Sequence, residues 1–126
     1  MTVELIFVGT ELLLGSIVNT NGAYLAEKCA ALGLASYFQT VVGDNEERLS
    51  QTLRTALGRS DVVILSGGLG PTEDDLTKET AAKVCGKALV MHEPTKAAIE
   101  KFFKDRGLEP TKNNWKQAML PEGGIV

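Results

Sequence analysis

A glycine-rich segment followed at once by carboxylates lies in the middle of the chain. It follows the apolar run 62–65 and reads Ser-Gly-Gly-Leu-Gly-Pro-Thr-Glu-Asp-Asp-Leu-Thr over residues 66–77. A short run rich in β-branched residues is typical of a strand buried on both faces. A strand, a glycine turn and a helix N-terminus in that order leave main-chain N–H groups unpaired, and such groups bind anions, phosphate in particular. The predicted phosphate-binding residues are Gly67, Gly68, Gly70, Pro71 and Thr72.

The spacing of these glycines differs from the two best-known phosphate loops. Gly-x-Gly-x-x-Gly would need glycine where the chain has Glu73, and no Gly-Lys-Ser/Thr follows. The three acids Glu73, Asp74 and Asp75 would repel a phosphate unless a divalent cation lay between the two charges. In the other interpretation, Thr72 or Asp74 caps a helix and the remaining acids complement its dipole. Either interpretation is open for each acid alone, and a ligand site is expected for the whole cluster.

Polar residues also follow the two preceding predicted strands. Thr10 and Glu11 come after the first strand, and Asp44 and Asn45 come after the second. Ligands of open α/β sheets lie at the carboxyl ends of the strands. Glu11 is therefore a site residue or a cap, and Asp44 or Asn45 has the same two interpretations. If the strands are parallel neighbours, Asp44 faces the same crevice as the glycine turn.

Strands and helices alternate along the chain. Strands are predicted at 3–8, 34–42, 61–66 and 88–91, and helices at 20–32, 46–59, 76–84, 93–106 and 111–118. Alternation in units of this size predicts an α/β fold with parallel pairing and right-handed crossovers. Ile99, Phe102 and Phe103 are expected to form the buried face of the helix at 93–106.

Size and charge limit the classes of function. A chain of 126 residues with 44% hydrophobic residues can form one compact domain with a substantial core. The net charge of -3 argues against a nucleic-acid-binding face. There is no signal-peptide pattern and no apolar run of membrane-spanning length, so we expect a cytoplasmic protein. Residues 124–126 are typical of the start of a strand, and we expect the chain to end before its fold is complete.

Three segments together resemble one protein family. They are Val8-Gly-Thr-Glu-Leu-Leu-Leu-Gly15 with Asn19-Thr-Asn21, Val42-Gly-Asp44, and the segment 66–77. Together they are similar to the amino-terminal domain of the competence/damage-inducible CinA proteins, within the molybdopterin-binding, MoaB/Mog-like superfamily. The resemblance covers essentially the whole chain. It implies a three-layer α/β/α sandwich with a mostly parallel sheet and a homo-oligomer. Full-length relatives often carry a carboxyl-terminal amidase domain, which this chain is too short to contain.

The resemblance also implies roles for individual residues. In the molybdopterin adenylyltransferase branch, the glycine turn holds a pterin or nucleotide phosphate. Acids matching Asp75 and Asp44 serve metal-assisted nucleotidyl transfer, and Thr77 matches the threonine of the Asp-x-Thr motif. Those enzymes usually have Gly-Gly-Thr-Gly, whereas residues 67–70 of this chain read Gly-Gly-Leu-Gly. Leu69 thus replaces the threonine and its hydroxyl, which argues against molybdopterin chemistry. The CinA branch is instead associated with divalent-metal-dependent hydrolysis of ADP-ribose in pyridine-nucleotide recycling.

The residues and the resemblance indicate the same diphosphate chemistry. Asp75, with Asp44 or Asp74, would hold Mg²⁺ or another divalent cation against the phosphate oxygens. Such a cation lowers the pKa of a bound water, which then attacks phosphorus directly. Glu11 would orient that water or a ribose hydroxyl, and Thr10 and Thr77 complete the predicted nucleotide-binding set. The alternatives are a module that binds molybdopterin or a nucleotide without turnover, and a domain that mainly assembles an oligomer.

Overall fold

The computed structural model describes all 126 residues. Its elements in chain order are β1 (Thr2–Val8), α1 (Thr10–Leu13), α2 (Thr20–Ala31), β2 (Ala35–Val42), α3 (Glu46–Arg59), β3 (Val62–Ser66), α4 (Thr77–Val84), β4 (Leu89–Met91), α5 (Glu93–Lys104), α6 (Lys112–Lys116) and β5 (Met119–Pro121). The first three strands form a parallel sheet in the order β2-β1-β3, while β4 and β5 form a separate antiparallel pair. The predicted parallel pairing is confirmed. None of the helices is both long and apolar enough to cross a bilayer.

The central strand β1 separates two layers of core. Its side chains alternate between the two faces of the sheet. Ile6 and Val8 pack on the side of α3 and α4, whereas Leu5 and Phe7 pack on the side of α2 around Cys29. Helices therefore cover both faces of the sheet, and the three-layer architecture is confirmed.

The strand β3 packs on both faces but has an open edge. Val63 and Leu65 contact one core layer, and Val62 and Ile64 contact the other. All of its residues are nevertheless only half-buried, because β3 pairs with β1 alone. The prediction that this strand packs on both faces is thus confirmed. The prediction that it is buried is wrong, because every residue of β3 is partly exposed.

The apolar face of α5 is not part of the core. Ile99, Phe102 and Phe103 were expected to be buried, but α5 has no buried residue and Phe102 is 51% exposed. The two phenylalanine rings meet edge to face with centroids 5.5 Å apart, and they line an open groove facing Asn114 and Gln117. This prediction is wrong because helical periodicity shows that a face is apolar, not that another element covers it.

The carboxyl-terminal residues also differ from expectation. Residues 124–126 form no strand, and Ile125 is fully exposed. The strand lies earlier, at β5, where Met119 pairs with Met91 of β4 and Pro121 pairs with Leu89. The sequence pattern missed β5 because three residues are too few to show an alternation.

A buried ion pair lies near the amino end of β1, at the opposite end of the strand from Val8. Glu4 is 1% exposed and accepts hydrogen bonds from Arg59 Nε at 2.9 Å and Arg59 Nη2 at 2.7 Å. Ser60 Oγ donates a third bond at 3.2 Å. The bonds from Arg59 outweigh burial and hold the pKa of Glu4 below its usual value.

We predict that Arg59→Ala will destabilise the fold most strongly at neutral pH. The change leaves the buried Glu4 carboxylate without its counter-charge, which is unfavourable for the folded state. Because folding lowers the pKa of Glu4, the pair stabilises the protein above the unfolded value of 4.5 and stops doing so as pH falls through the folded pKa. Urea unfolding at neutral pH and at about pH 3 measures this. The deficit should shrink at the lower pH, and an equal deficit at both would contradict the assignment.

Candidate functional site

Three strand ends meet at one edge of the parallel sheet. Because β1 lies between β2 and β3, Thr10 and Glu11 lie between Asp44 and Gly67. This is the edge at which open α/β sheets bind ligands. The structure therefore brings the predicted residues that follow all three strands to a common edge.

A crevice of about 140 Å³ opens between the ends of β1 and β3. Its polar lining consists of Glu11, Asn19, Thr20, Asn21, Ser66 and the backbone of Gly67. Asn21 Nδ2 donates a hydrogen bond to Ser66 Oγ at 3.2 Å, and this bond links two residues of the crevice lining. Sequence reasoning selected Glu11 and Gly67 here but missed Asn21 and Ser66. Both lie within the motif segments, and only their polar side chains could have indicated a role.

The glycine turn does not lead directly into a helix. The helix α4 begins only at Thr77, and its N-cap residue, Leu76, supplies no side-chain cap. The expectation that Thr72 or Asp74 caps this helix is therefore wrong. Thr72 is instead bound to Asp75, which closes the loop before the helix begins.

The buried Thr77 holds the glycine turn from beneath. It is 1% exposed, its Oγ1 donates to the carbonyl of Gly67 at 2.7 Å, and its N–H donates to the carbonyl of Gly68 at 3.1 Å. In a trans peptide the N–H points away from the preceding C=O. These bonds therefore turn the N–H groups of Gly68 and Leu69 away from Thr77, and neither has an acceptor within the protein. Thr77, predicted as a phosphate ligand, acts here as the support of two free donors.

Only glycine fits at the first two positions of the turn. Gly67 has φ +93° and a Cβ there would lie 2.2 Å from the carbonyl oxygen of Val8. Gly68 has φ +66° and its Cβ would lie 2.2 Å from Thr77 Oγ1. Because Gly67 has no side chain, the main chain of Val8 can lie close to the turn while Gly67 stays exposed.

The carboxylate of Asp75 is engaged within the loop. Its Oδ2 accepts from Thr72 Oγ1 at 2.6 Å and from Thr72 N–H at 3.0 Å. These bonds from Thr72, with smaller effects of the Gly70 N–H and the Lys116 charge, hold the pKa of Asp75 below its usual value despite partial burial. Asp75 is thus a stable anion at neutral pH.

We predict that Thr72→Val will raise the pKa of Asp75 towards its ordinary value of 3.8, because the largest cause of the shift is the hydroxyl donor. The sign follows from linkage: the lowered pKa stabilises the folded loop above pH 3.8 and this stability is lost as pH falls through the folded pKa. Thr72→Ser keeps the donor and is the matched control. A carbon-13 NMR titration of the carboxyl carbon should show a higher midpoint in Thr72→Val only.

The carboxylate of Asp44 does not cap α3 and lies beside Thr10 instead. Asn45, and not Asp44, caps α3, because its side chain accepts from Arg48 N–H at 3.0 Å. Asp44 Oδ2 lies 3.3 Å from Thr10 Oγ1 and 3.4 Å from Thr10 N, and Thr10 Oγ1 accepts from Asp44 N–H at 3.1 Å. The interpretation of Asp44 as a simple helix cap is excluded, and Thr10 is its positioning partner.

The predicted cation ligands do not form a preassembled cluster. No three acidic, histidine or cysteine side chains converge anywhere in the structure. Asp44 and Asp75 are each bound to a different threonine, and Asp74 is exposed. Mg²⁺, however, typically keeps several waters and takes only one or two protein carboxylates together with substrate phosphates. The residues therefore fit a cation that arrives with a phosphate, and do not fit one held by the protein alone.

A lysine from α6 reaches the same loop. Lys116 Nζ donates to the carbonyl oxygens of Thr72, at 2.5 Å, and of Asp75, and it lies 3.9 Å from Glu79 Oε1. Lys78 Nζ in turn donates to the carbonyl oxygen of Lys116. Sequence reasoning missed Lys116, because a single lysine about forty residues downstream carries no local signal of such a contact.

Known proteins share both the sequence and this architecture. A family model described as "Probable molybdopterin binding domain" matches residues 4–122. A CinA-like protein of Kosmotoga olearia is 57% identical over 126 residues, which are 100% of this chain and 31% of that protein. The crystal structure of the protein CinA from Thermoplasma acidophilum matches with a TM-score of 0.87 at 37% identity, over 96% of this chain and 70% of that chain.

More distant structures share the fold alone. The molybdopterin biosynthesis enzyme MoaB from Thermus thermophilus matches with a TM-score of 0.65 at 17% identity, over 94% of this chain and 72% of that chain. The chain spans only 30% to 31% of the length of its first curated relatives. The family model and the CinA structure nevertheless each extend over nearly the whole chain. This chain therefore belongs to the molybdopterin-binding domain family and, within it, to the CinA-like proteins.

Proposed function

We propose that this chain hydrolyses the diphosphate of an ADP-ribose-type nucleotide with the help of a divalent cation. One observation supports the proposal most: the unpaired N–H groups of Gly68 and Leu69 lie at the same sheet edge as the carboxylates of Glu11 and Asp44. Donors without partners favour an anion, and acids beside that anion favour a cation. The CinA-like family membership is consistent with this chemistry.

Each residue of the edge has a proposed task. The amides of the glycine turn bind one phosphate group, and Asp44 and Asp75 are the candidates to hold Mg²⁺. A bound divalent cation would neutralise phosphate charge and lower the pKa of a water molecule. Glu11, inside the crevice, accepts a hydrogen bond from the attacking water or from a ribose hydroxyl. The water adds its oxygen to one phosphorus and the bridging oxygen leaves with the other, so that ADP-ribose gives AMP and ribose 5-phosphate.

A covalent route has little support from the crevice. Ser66 is the one serine that lines the crevice, but it accepts a hydrogen bond from Asn21, and no histidine lines the crevice. The single histidine, His92, caps α5 and is bound to Thr95. Nucleophilic catalysis requires an adjacent base that activates the hydroxyl. Direct attack by water is therefore the proposed route.

A second function is a module that binds molybdopterin or a nucleotide without turnover. The absence of a preassembled carboxylate cluster favours it, and so does the description of the matching family. The turn would then serve only as an anion site. The predicted homo-oligomer and cytoplasmic location stay predictions under either function.

Incubation with a panel of nucleotide diphosphates separates the two functions. The panel contains ADP-ribose, NAD and nucleotide sugars, with and without Mg²⁺, and products are identified by mass. The first function predicts AMP and ribose 5-phosphate from ADP-ribose only when Mg²⁺ is present. Saturable binding with no product, in the presence of Mg²⁺, would select the binding module instead.

A further inference from the structure

Carbonyl groups held from behind are a common feature of the loop 67–76. Thr77 holds the carbonyls of Gly67 and Gly68, and Lys116 holds those of Thr72 and Asp75. The carbonyl of Thr72 also accepts from Asp75 N–H at 3.2 Å, so Lys116 is its second partner. Because each peptide is planar and trans, a held carbonyl directs the next N–H to the opposite side. This peptide geometry leaves the amides of Gly68 and Leu69 unpaired in the first half of the loop. It therefore also applies to the amides that follow Thr72 and Asp75 in the second half.

The two amides that follow the carbonyls bound by Lys116 have no partner. They belong to Glu73 and Leu76, and neither N–H meets an acceptor within the protein. Unpaired donors turned to one side form a concave surface of positive potential that favours an anion. The ammonium of Lys116 adds a full positive charge behind this part of the loop, which also carries Asp75.

We propose that Lys116 is a positioning residue that holds the second half of the loop 67–76, a role that rests on the proposed function of this loop. Its Nζ ties α6 to the backbone at Thr72 and Asp75, and Lys78 ties α4 to the end of α6. The small unit of β4, α5, α6 and β5 thereby acts as a support for the loop. It sets both the direction of two amides and the place of the Asp75 carboxylate.

Direct contact of Lys116 with a ligand is the less favourable alternative. An ammonium has three donors, and two of them are used by the carbonyls of Thr72 and Asp75. The carboxylate of Glu79 lies at 3.9 Å, and the lysine side chain is only 24% exposed. A phosphate would have to displace these partners, so the lysine acts through the backbone.

The experiment compares Lys116→Met with Lys112→Met. Both lysines lie on α6, but Lys112 is exposed and makes no hydrogen bond or ion pair through its side chain, so it is the matched control. Proton–nitrogen NMR of the protein without ligand reports the amides of Glu73 and Leu76 directly. We expect Lys116→Met to shift these two signals and increase their hydrogen exchange, and to weaken binding of inorganic pyrophosphate with Mg²⁺ about tenfold. Lys112→Met should change neither.

Conservative variants keep the test decisive if Lys116→Met does not fold. Lys116→Arg retains a cationic donor and should restore both the amide signals and pyrophosphate affinity, whereas Lys116→Gln retains only a neutral donor and should fall between. The proposal would be overturned if Lys116→Met or Lys116→Gln had the same amide signals and the same pyrophosphate affinity as Lys112→Met. The ligand-free spectra decide it even if the wild-type chain neither binds nor hydrolyses a nucleotide, which would count against the proposed function alone.

Discussion

We expect the replacement of Asp44 by asparagine to slow the proposed ADP-ribose hydrolysis by about a hundredfold to a thousandfold, the range for losing one electrostatic group that stabilises a charged transition state. Asp44 is exposed, does not cap α3, and presents its carboxylate beside Thr10 at the edge that carries the glycine turn. Asparagine keeps the size of the side chain and a hydrogen-bonding oxygen for Thr10. It removes the negative charge that a divalent cation requires.

The matched control for Asp44→Asn is Glu47→Gln. Glu47 is another exposed acid in the first turn of α3, and its side chain makes no hydrogen bond or ion pair. Both variants change the net charge by the same amount, so a general electrostatic effect would appear in both. Steady-state rates at saturating Mg²⁺ and a urea unfolding curve for each protein complete the comparison. Equal rates in Asp44→Asn and Glu47→Gln would remove Asp44 from the mechanism.

We expect the change Gly67→Ala to abolish the proposed nucleotide binding and to destabilise the fold. The new methyl group would lie 2.2 Å from the carbonyl oxygen of Val8, a main-chain atom of the central strand, and φ at this residue is +93°. A strained φ costs about 1 to 3 kcal/mol by itself. The main-chain overlap adds to this, and the turn must move away from the sheet edge to relieve it.

Two other glycines separate these effects. Gly86 also has a positive φ, +64°, but a Cβ there meets nothing within 4 Å, so Gly86→Ala measures strain without overlap. Gly58 lies inside α3 in open space, and Gly58→Ala should stabilise the helix by up to about 1 kcal/mol. Unfolding free energies should rank Gly58→Ala above wild type, then Gly86→Ala, then Gly67→Ala. Full nucleotide affinity in Gly67→Ala would show that the turn is not the binding element.

Local sequence patterns predicted much of the secondary structure and the parallel sheet. A helix was predicted at 20–32, and α2 begins at Thr20, with Asn19 as its cap through a hydrogen bond from Gly22 N–H at 3.0 Å. The three parallel strands follow from the alternation of apolar runs with helical stripes. Their order then places the residues after each strand at one edge, although the outermost of these residues, Thr10 and Gly67, are more than fifty positions apart in the sequence.

Features that depend on distant partners could not be predicted from local patterns. The pattern at Asp44 and Asn45 allowed either residue to cap α3. The bond from Arg48 N–H identifies Asn45 as the cap, and the contact of Asp44 with the distant Thr10 shows where its carboxylate lies instead. The contacts of Lys116 with the loop require α6 to fold back against α4. The open groove beside Phe102 likewise depends on what packs there, which no periodicity contains.

The proposed function depends on phosphate binding by the free amides of Gly68 and Leu69. Proton–nitrogen NMR during titration with an ADP-ribose analogue, in which a methylene group replaces the bridging oxygen, tests it while Mg²⁺ is present and hydrolysis is blocked. If the turn binds phosphate, these two amide signals will show saturable shifts that follow the same binding curve as the other shifted signals of the protein. Saturable binding that perturbs signals elsewhere and leaves Gly68 and Leu69 unchanged would contradict it.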